Sequence, residues 1–250
     1  MPNLIGKTLL DQYRIDDFIG VGGMSQVYRV YDLKRNTSLA MKLLRDELQE
    51  NPKALALFKR EADELRKLRH PNIVTLYGMF EVETFSFLLE EYIDGPTLSR
   101  HLKTRPGRRL EEAETLIFLK ALCAALGYAH TNGIVHCDVK PENVMVDQGG
   151  RIYVTDFGIA RHTGSTTTTI GVTGTPKYMA PEQFRAEMGT PQTDIYALGV
   201  MLFEMLAGQR PFQSSEAGGE VGDPFFAVRQ AHLEQPPPDP RTLNPGLSPG

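Results

Sequence analysis

Between His136 and Gly158 the chain reads HCDVKPENVMVDQGGRIYVTDFG, a stretch that collects Asp138, Lys140, Asn143 and Asp156. Val144-Met145-Val146 and Arg151-Ile152-Tyr153-Val154 flank an Asp147-Gln148-Gly149-Gly150 turn, which is the pattern of a β-hairpin. Such a hairpin brings its open-end residues, Asn143 and Asp156, close together. Paired oxygen ligands at that spot suit a hard cation such as Mg²⁺. Asp and Asn are also the ordinary residues of turns and loop caps, so for any one of them alone both readings stand.

Two further stretches offer chemistry that would complement a cation. In Ile19-Gly20-Val21-Gly22-Gly23-Met24-Ser25-Gln26 the glycines would let the backbone approach a ligand and aim N–H groups at phosphate oxygens. A dinucleotide site would need a helix directly after the glycines. Here Val27-Tyr28-Arg29-Val30-Tyr31 predicts a second strand after Tyr13-Arg14-Ile15, so a flap over a nucleotide is expected, a plain tight turn being the alternative. In Ser38-Leu39-Ala40-Met41-Lys42-Leu43-Leu44 one lysine interrupts an apolar run. A buried ammonium group needs an anion, whereas an edge-strand lysine could reach solvent.

The elements that position these residues can be read from periodicity. Asn51 as N-cap and Pro52 at the first helical position open a helix to Arg69, with Leu55, Phe58, Ala62, Leu65 and Leu68 at helical spacing. Glu61 falls inside that apolar stripe, between the directions of Leu65 and Leu68, and is the natural partner for Lys42. Strand-like runs follow at Ile73–Phe80 and Phe85–Leu89. The composition then turns helical, marking a boundary near residues 91–95, and a crevice at such a boundary is a common ligand site. A helix over 111–132 has Leu116, Ile117, Leu119, Leu122, Leu126 and Tyr128 as core candidates, Cys123 as buried packing and Gly133 as its cap. Thr163–Thr169 reads as an exposed loop. A further helix runs from Asp194 to Leu206 and stops at Gly208. Gln213–Asp223 is polar and glycine-rich, and six prolines from Pro236 onward favour an extended tail.

Composition narrows the function classes. The charged fraction of 23% and net charge of −4 give no basic excess, so nucleic acid is not an expected partner. The cysteines, Cys123 and Cys137, form neither a CxxC pair nor a zinc pattern, and a reducing cytoplasm is the simplest setting. Neither a signal peptide nor an apolar run long enough to span a bilayer is present, so membrane contact is not expected within 1–250.

Taken in order, GVGGMS at 20–25, AMK ending at Lys42, Glu61, HCDVKPEN at 136–143, DFG at 156–158 and APE at 180–182 resemble the eukaryotic-type (Hanks-type) bacterial serine/threonine protein kinase catalytic domain. The resemblance implies an α+β, bilobal fold: a small β-rich N-lobe with one regulatory helix and a larger, mainly helical C-lobe whose last helices are missing. The corresponding divisions are an N-terminal extension 1–12, N-lobe 13–91, hinge 92–95, incomplete C-lobe 96–235 and proline-rich tail 236–250. It further implies ATP with Mg²⁺, or alternatively Mn²⁺, and transfer to Ser or Thr hydroxyls of proteins. The implied setting is the cytoplasm, with tethering to the inner membrane face by a segment beyond 250 as an option and a homodimer for autophosphorylation.

Residue by residue, the resemblance implies that Lys42 holds the α- and β-phosphates and pairs with Glu61. Asp138 would accept or orient the proton of the attacking hydroxyl, Lys140 would lie near the γ-phosphate, and Asn143 and Asp156 would bind the metal. Gly20, Val21, Gly22, Gly23, Met24, Ser25, Val27, Ala40, Glu91, Ile93 and Met145 would complete the nucleotide site. Leu65, Leu76, His136 and Phe157 match the apolar stack of active kinases, and Thr175 the residue that contacts Asp138 and Lys140. Thr166–Thr169 and Thr173 would be autophosphorylation sites. Four departures stand out. Ser25 occupies the usual third loop glycine. Cys137 replaces the arginine that receives a loop phosphate, which implies catalysis with little dependence on that modification. Glu90 falls at the back of the adenine pocket, unless the register is one residue off. The arginine that pairs with Glu182 is not in the chain. The competing readings are a pseudokinase or nucleotide-binding scaffold, and a small-molecule phosphotransferase.

Overall fold

The computed structural model describes residues 4–21, 25–44, 55, 59, 62–63, 65–82, 85–157, 177–213 and 224–249. The chain divides into two compact units, Met1–Asp94 and Gly95–Gly250.

The first unit is built on an antiparallel sheet ordered β1-β2-β3-β4-β6-β5, with β1 at Thr8–Leu9, β2 at Tyr13–Val21, β3 at Ser25–Asp32, β4 at Thr37–Leu44, β5 at Leu76–Val82 and β6 at Phe85–Glu91. Alternation along the strands sends Tyr13, Ile15, Tyr28, Val30, Leu39, Met41, Leu43, Phe87 and Leu89 into one apolar cluster. The β3–β4 turn is fixed by Asp32, which is fully buried and accepts from Gln12 Nε2 and from the Lys34 and Arg35 amides. Leu55, Lys59, Ala62, Asp63 and Leu65 are helical, and Ala62 and Leu68 are buried. Glu61 and Gly22, Gly23 and Met24 lie outside the described residues.

The second unit holds α1 (Leu98–Lys103), α2 (Glu112–Thr131), the hairpin β7 (Val144–Val146) and β8 (Ile152–Val154), α3 (Pro181–Phe184), α4 (Pro191–Ala207) and α5 (Pro224–Glu234). Asp147 closes the hairpin turn by accepting from the Gly149 and Arg151 amides. Helix α2 packs on β8 and α4 through Thr115, Phe118, Leu122, Ala125, Leu126 and Ala129. Leu116 and Ile117, expected in that core, are 48% and 60% exposed, and Cys123 is exposed as well. The apolar residues of α2 cover more than one stripe, and tertiary packing selects the one running i, i+3, i+7 from Thr115. Helix α4 stops at Gly208, whose φ of 80° is left-handed and whose added Cβ would meet the Gly107 carbonyl oxygen at 2.1 Å.

Helix α5 carries too weak a pattern to be read from sequence. The proline-rich segment is not simply extended. It contains a 3₁₀ turn at Pro240–Thr242, and Asn244 Nδ2 donates to the Leu206 carbonyl at 2.9 Å. The Ser248 amide donates to Glu112 at 2.6 Å, tying the segment to α2 as well. The Thr-rich loop, with Thr163–Thr169, Thr173 and Thr175, and the run 214–223 lie outside the described residues. Among the described residues no helix is long and apolar enough to cross a membrane.

Candidate active site

In the second unit Asp138, Lys140 and Asn143 lie on the loop between α2 and β7. Asp138 is the centre: Lys140 Nζ reaches its Oδ2 at 2.7 Å, and Asn143 Nδ2 donates to its carbonyl at 2.9 Å and to Oδ2 at 3.1 Å. A short 3₁₀ turn at Pro141–Asn143, opened by the fixed φ of proline, delivers Asn143 to this position. Asp138 and Lys140 keep about a third of their side chains exposed, at 35% and 33%. The carboxylate is therefore held in orientation yet open to a reactant.

The hairpin pairs Val144 with Val154, and the Thr155 amide donates to the Asn143 carbonyl at 3.0 Å. This register sets Asn143 and Asp156 at the open end of the hairpin, as their spacing predicts. Asp156 is exposed and adopts φ 59°, a left-handed conformation uncommon outside glycine. Asn143 commits its NH₂ group to Asp138, which leaves the amide oxygen as acceptor. One amide oxygen and one exposed carboxylate fit a hard cation that keeps most of its waters.

The loop is held from beneath by a residue that the sequence pattern marks only as a helix start. Asp194, on the first turn of α4, is completely buried. Its Oδ2 accepts from the His136 amide and its Oδ1 from the Cys137 amide, both at 2.8 Å, and His130 Nε2 lies 2.7 Å from Oδ2. A carboxylate just inside an apolar helix was the available signal, but a first-turn acid is explained equally well by the helix dipole. The Cys137 carbonyl accepts from Gln183 Nε2 at 2.8 Å, so both backbone groups of this residue, which sits at φ 60°, are fixed. Cys137 itself is buried, with its sulfur against Gly189.

His136 is fully buried, accepts from the Asp138 amide at Nδ1, and meets the Thr155 carbonyl through Nε2 at 3.0 Å. Its ring lies 4.5 Å from that of Phe157. Two members of the expected apolar stack are thus in contact. Between α4 and α3, the Thr193 hydroxyl donates to Glu182 Oε1 at 2.5 Å, giving that carboxylate a partner that sequence did not indicate. Tyr178 donates to Glu204; burial raises the pKa of both groups, the nearby Glu204 charge adding to the rise for Tyr178. His232 is buried among Phe184, Tyr196 and Phe212, shares a 2.8 Å hydrogen bond with the Tyr196 hydroxyl through Nδ1, and is pushed down to about 4 by loss of solvation.

In the first unit, Lys42 lies opposite Val27 on β3 and Leu88 on β6, while Ala40 lies opposite Arg29 and Glu90. Directly opposed residues share a face. Val27, Ala40, Lys42, Leu88 and Glu90 therefore occupy the face away from the apolar cluster. Lys42 Nζ is 2.5 Å from Glu90 Oε2, and each side chain is only 10% exposed. The expected partner, Glu61, lies outside the described residues. Gly20 and Val21 end β2, Ser25 opens β3, and Glu91 and Ile93 follow on β6 and beyond it, with Ile93 buried. Met145 is on β7 and pairs with Thr97.

Comparison with known proteins extends these observations. The protein kinase domain family model matches residues 13–246. The chain is 37% identical over 246 residues to the serine/threonine-protein kinase PrkC of Bacillus subtilis, covering 98% of this chain and 36% of that protein. It is 36% identical over 247 residues to the serine/threonine-protein kinase PknB of Mycobacterium leprae, covering 96% of this chain and 38% of the relative. The chain thus spans little more than a third of these relatives. The kinase domain of Mycobacterium tuberculosis PknI is similar in structure, with a TM-score of 0.70 at 26% identity, covering 95% of this chain and 93% of that one.

Proposed function

The chain belongs to the protein kinase domain family, and from that premise we propose that it transfers the γ-phosphate of ATP to Ser or Thr hydroxyls of proteins, itself included. The observation that carries this reading is the Asp138 carboxylate, oriented by Lys140 and Asn143 on a loop anchored by buried Asp194.

In this reading the substrate hydroxyl oxygen attacks the γ-phosphorus. The bond from that phosphorus to the β–γ bridging oxygen breaks, ADP leaves, and the hydroxyl proton passes to Asp138. Because such transition states are loose, the work of the protein is positioning and charge neutralisation. Lys140 offsets charge on the transferring group, and Lys42 holds the α- and β-phosphates with Glu61 as partner. The backbone of Gly20, Val21, Gly22, Gly23, Met24 and Ser25 covers the phosphates. Val27, Ala40 and Met145 supply apolar contact to the base, and Glu91 and Ile93 supply backbone groups to its edge. Asn143 and Asp156 would hold Mg²⁺, or alternatively Mn²⁺, which would neutralise phosphate oxygens. Autophosphorylation would take place between two copies of the chain, in the cytoplasm.

The test is incorporation of labelled γ-phosphate into a generic protein substrate, with Asp138→Asn as control. We expect the variant to lose at least a hundredfold in kcat, since a positioned base typically contributes ~10²–10⁴. A wild-type signal no greater than that of the variant would overturn the assignment and leave a nucleotide-binding scaffold.

A further inference from the structure

We infer that Glu90 is a positioning residue for Lys42: a carboxylate, built into the neighbouring strand, that holds the phosphate-binding ammonium group and shares it with the nucleotide. The inference rests on the proposed kinase function and deepens it at that site.

The geometry has three parts. The ion pair joins adjacent central strands, β4 and β6, whose pairing runs without a break from Leu39↔Glu91 to Leu43↔Phe87. Ala40 and Glu90 are directly opposed, so Glu90 and Lys42 are diagonal neighbours on one face, within reach of long side chains. Both side chains are 90% buried, with Lys42 Nζ 2.5 Å from Glu90 Oε2. A carboxylate at such a depth requires a cation, and its flanking residues on that face, Ala40 and Leu88, carry no charge.

A partner supplied by a helix moves when the helix moves. A partner supplied by strand pairing does not, because the register of a central sheet is fixed by its core face. Glu90 therefore keeps Lys42 pointing along the sheet face, alongside any other contact Lys42 makes. The same negative charge opposes the approach of nucleotide phosphates to Lys42. Removing it should affect binding and turnover in opposite directions.

Glu90→Gln keeps the shape and removes the charge; Glu90→Met also removes the hydrogen-bonding oxygen. We expect both variants to bind ADP and ATP several-fold more tightly by calorimetry while adenosine affinity stays unchanged. We also expect kcat to fall at least tenfold and the KM for ATP to fall with it. A merely structural role would move adenosine and ADP together and leave no such split. The inference is overturned if ADP affinity or kcat is unchanged in both variants, or if adenosine and ADP shift equally. Wild-type protein that binds no nucleotide would remove the kinase reading and this inference together. Wild-type turnover matched by the variants would remove this inference alone.

Discussion

Replacement of Asp194 offers the sharpest test of how the reactive loop is held. The carboxylate has no exposed surface and satisfies the His136 and Cys137 amides with different oxygens, each at 2.8 Å. In Asp194→Asn one of those oxygens becomes an NH₂ group, which cannot accept. One buried amide then faces a donor and loses its partner, at a cost of about 1–3 kcal/mol. Asp194→Ala orphans both amides, and the same reasoning gives about twice that loss. Either value is a large share of the ~5–15 kcal/mol that stabilises a typical domain. The chain has no tryptophan, so urea unfolding is best followed by far-ultraviolet circular dichroism. Activity should respond further, because Asp138 follows directly on the two anchored amides: kcat in Asp194→Asn should fall at least tenfold under conditions where the protein remains folded. An Asp194→Asn variant with an unchanged urea midpoint and unchanged kcat would refute the reasoning, as would equal destabilisation by Asn and Ala.

Two other outcomes are expected. A Cβ at Gly189 would lie 2.4 Å from Cys137 Sγ and 3.8 Å from Cys137 Cβ. Gly189→Ala should therefore cost ~1–3 kcal/mol in the native background and little when combined with Cys137→Ala; additive losses in urea unfolding would contradict the contact. Burial depresses His232 to about 4 from an ordinary 6.5. The unfolded chain therefore takes up this proton first, and the stability contribution is intact above about pH 6.5 and lost as pH falls towards 4, to a limit of ~3 kcal/mol. Stability measured against pH should decline less steeply in His232→Gln across that window, and parallel profiles would exclude the effect.

Much of the candidate site was legible because its determinants are local. The alternation on either side of Asp147–Gly150 specifies a hairpin, and a hairpin places Asn143 and Asp156 at its open end wherever it is docked. The interval from Glu112 to Thr131 and the stop at Gly208 follow from periodicity and from the left-handed cap that glycine accepts. Lys42 could be recognised as a cation in need of an anion, since an apolar strand makes its charge conspicuous.

Other features were decided by contacts between residues far apart in sequence. Leu116, Ile117 and Cys123 are apolar on a helix with more than one apolar stripe, and only docking against β8 and α4 determined that they face outward. Asp194 resembles a helix-dipole acid until α4 lies beneath the His136–Cys137 backbone, where its two oxygens accept from both amides. Glu90 lies far from Lys42 along the chain. Strand pairing, which depends on the hydrophobic face shared by β4 and β6, brings the carboxylate to the ammonium group. Sequence by itself determined which groups are candidates for the chemistry, because residue type and short-range pattern fix that. Tertiary structure decided which buried charge answers which, because a desolvated charge is paired by whatever the register of distant segments places within reach.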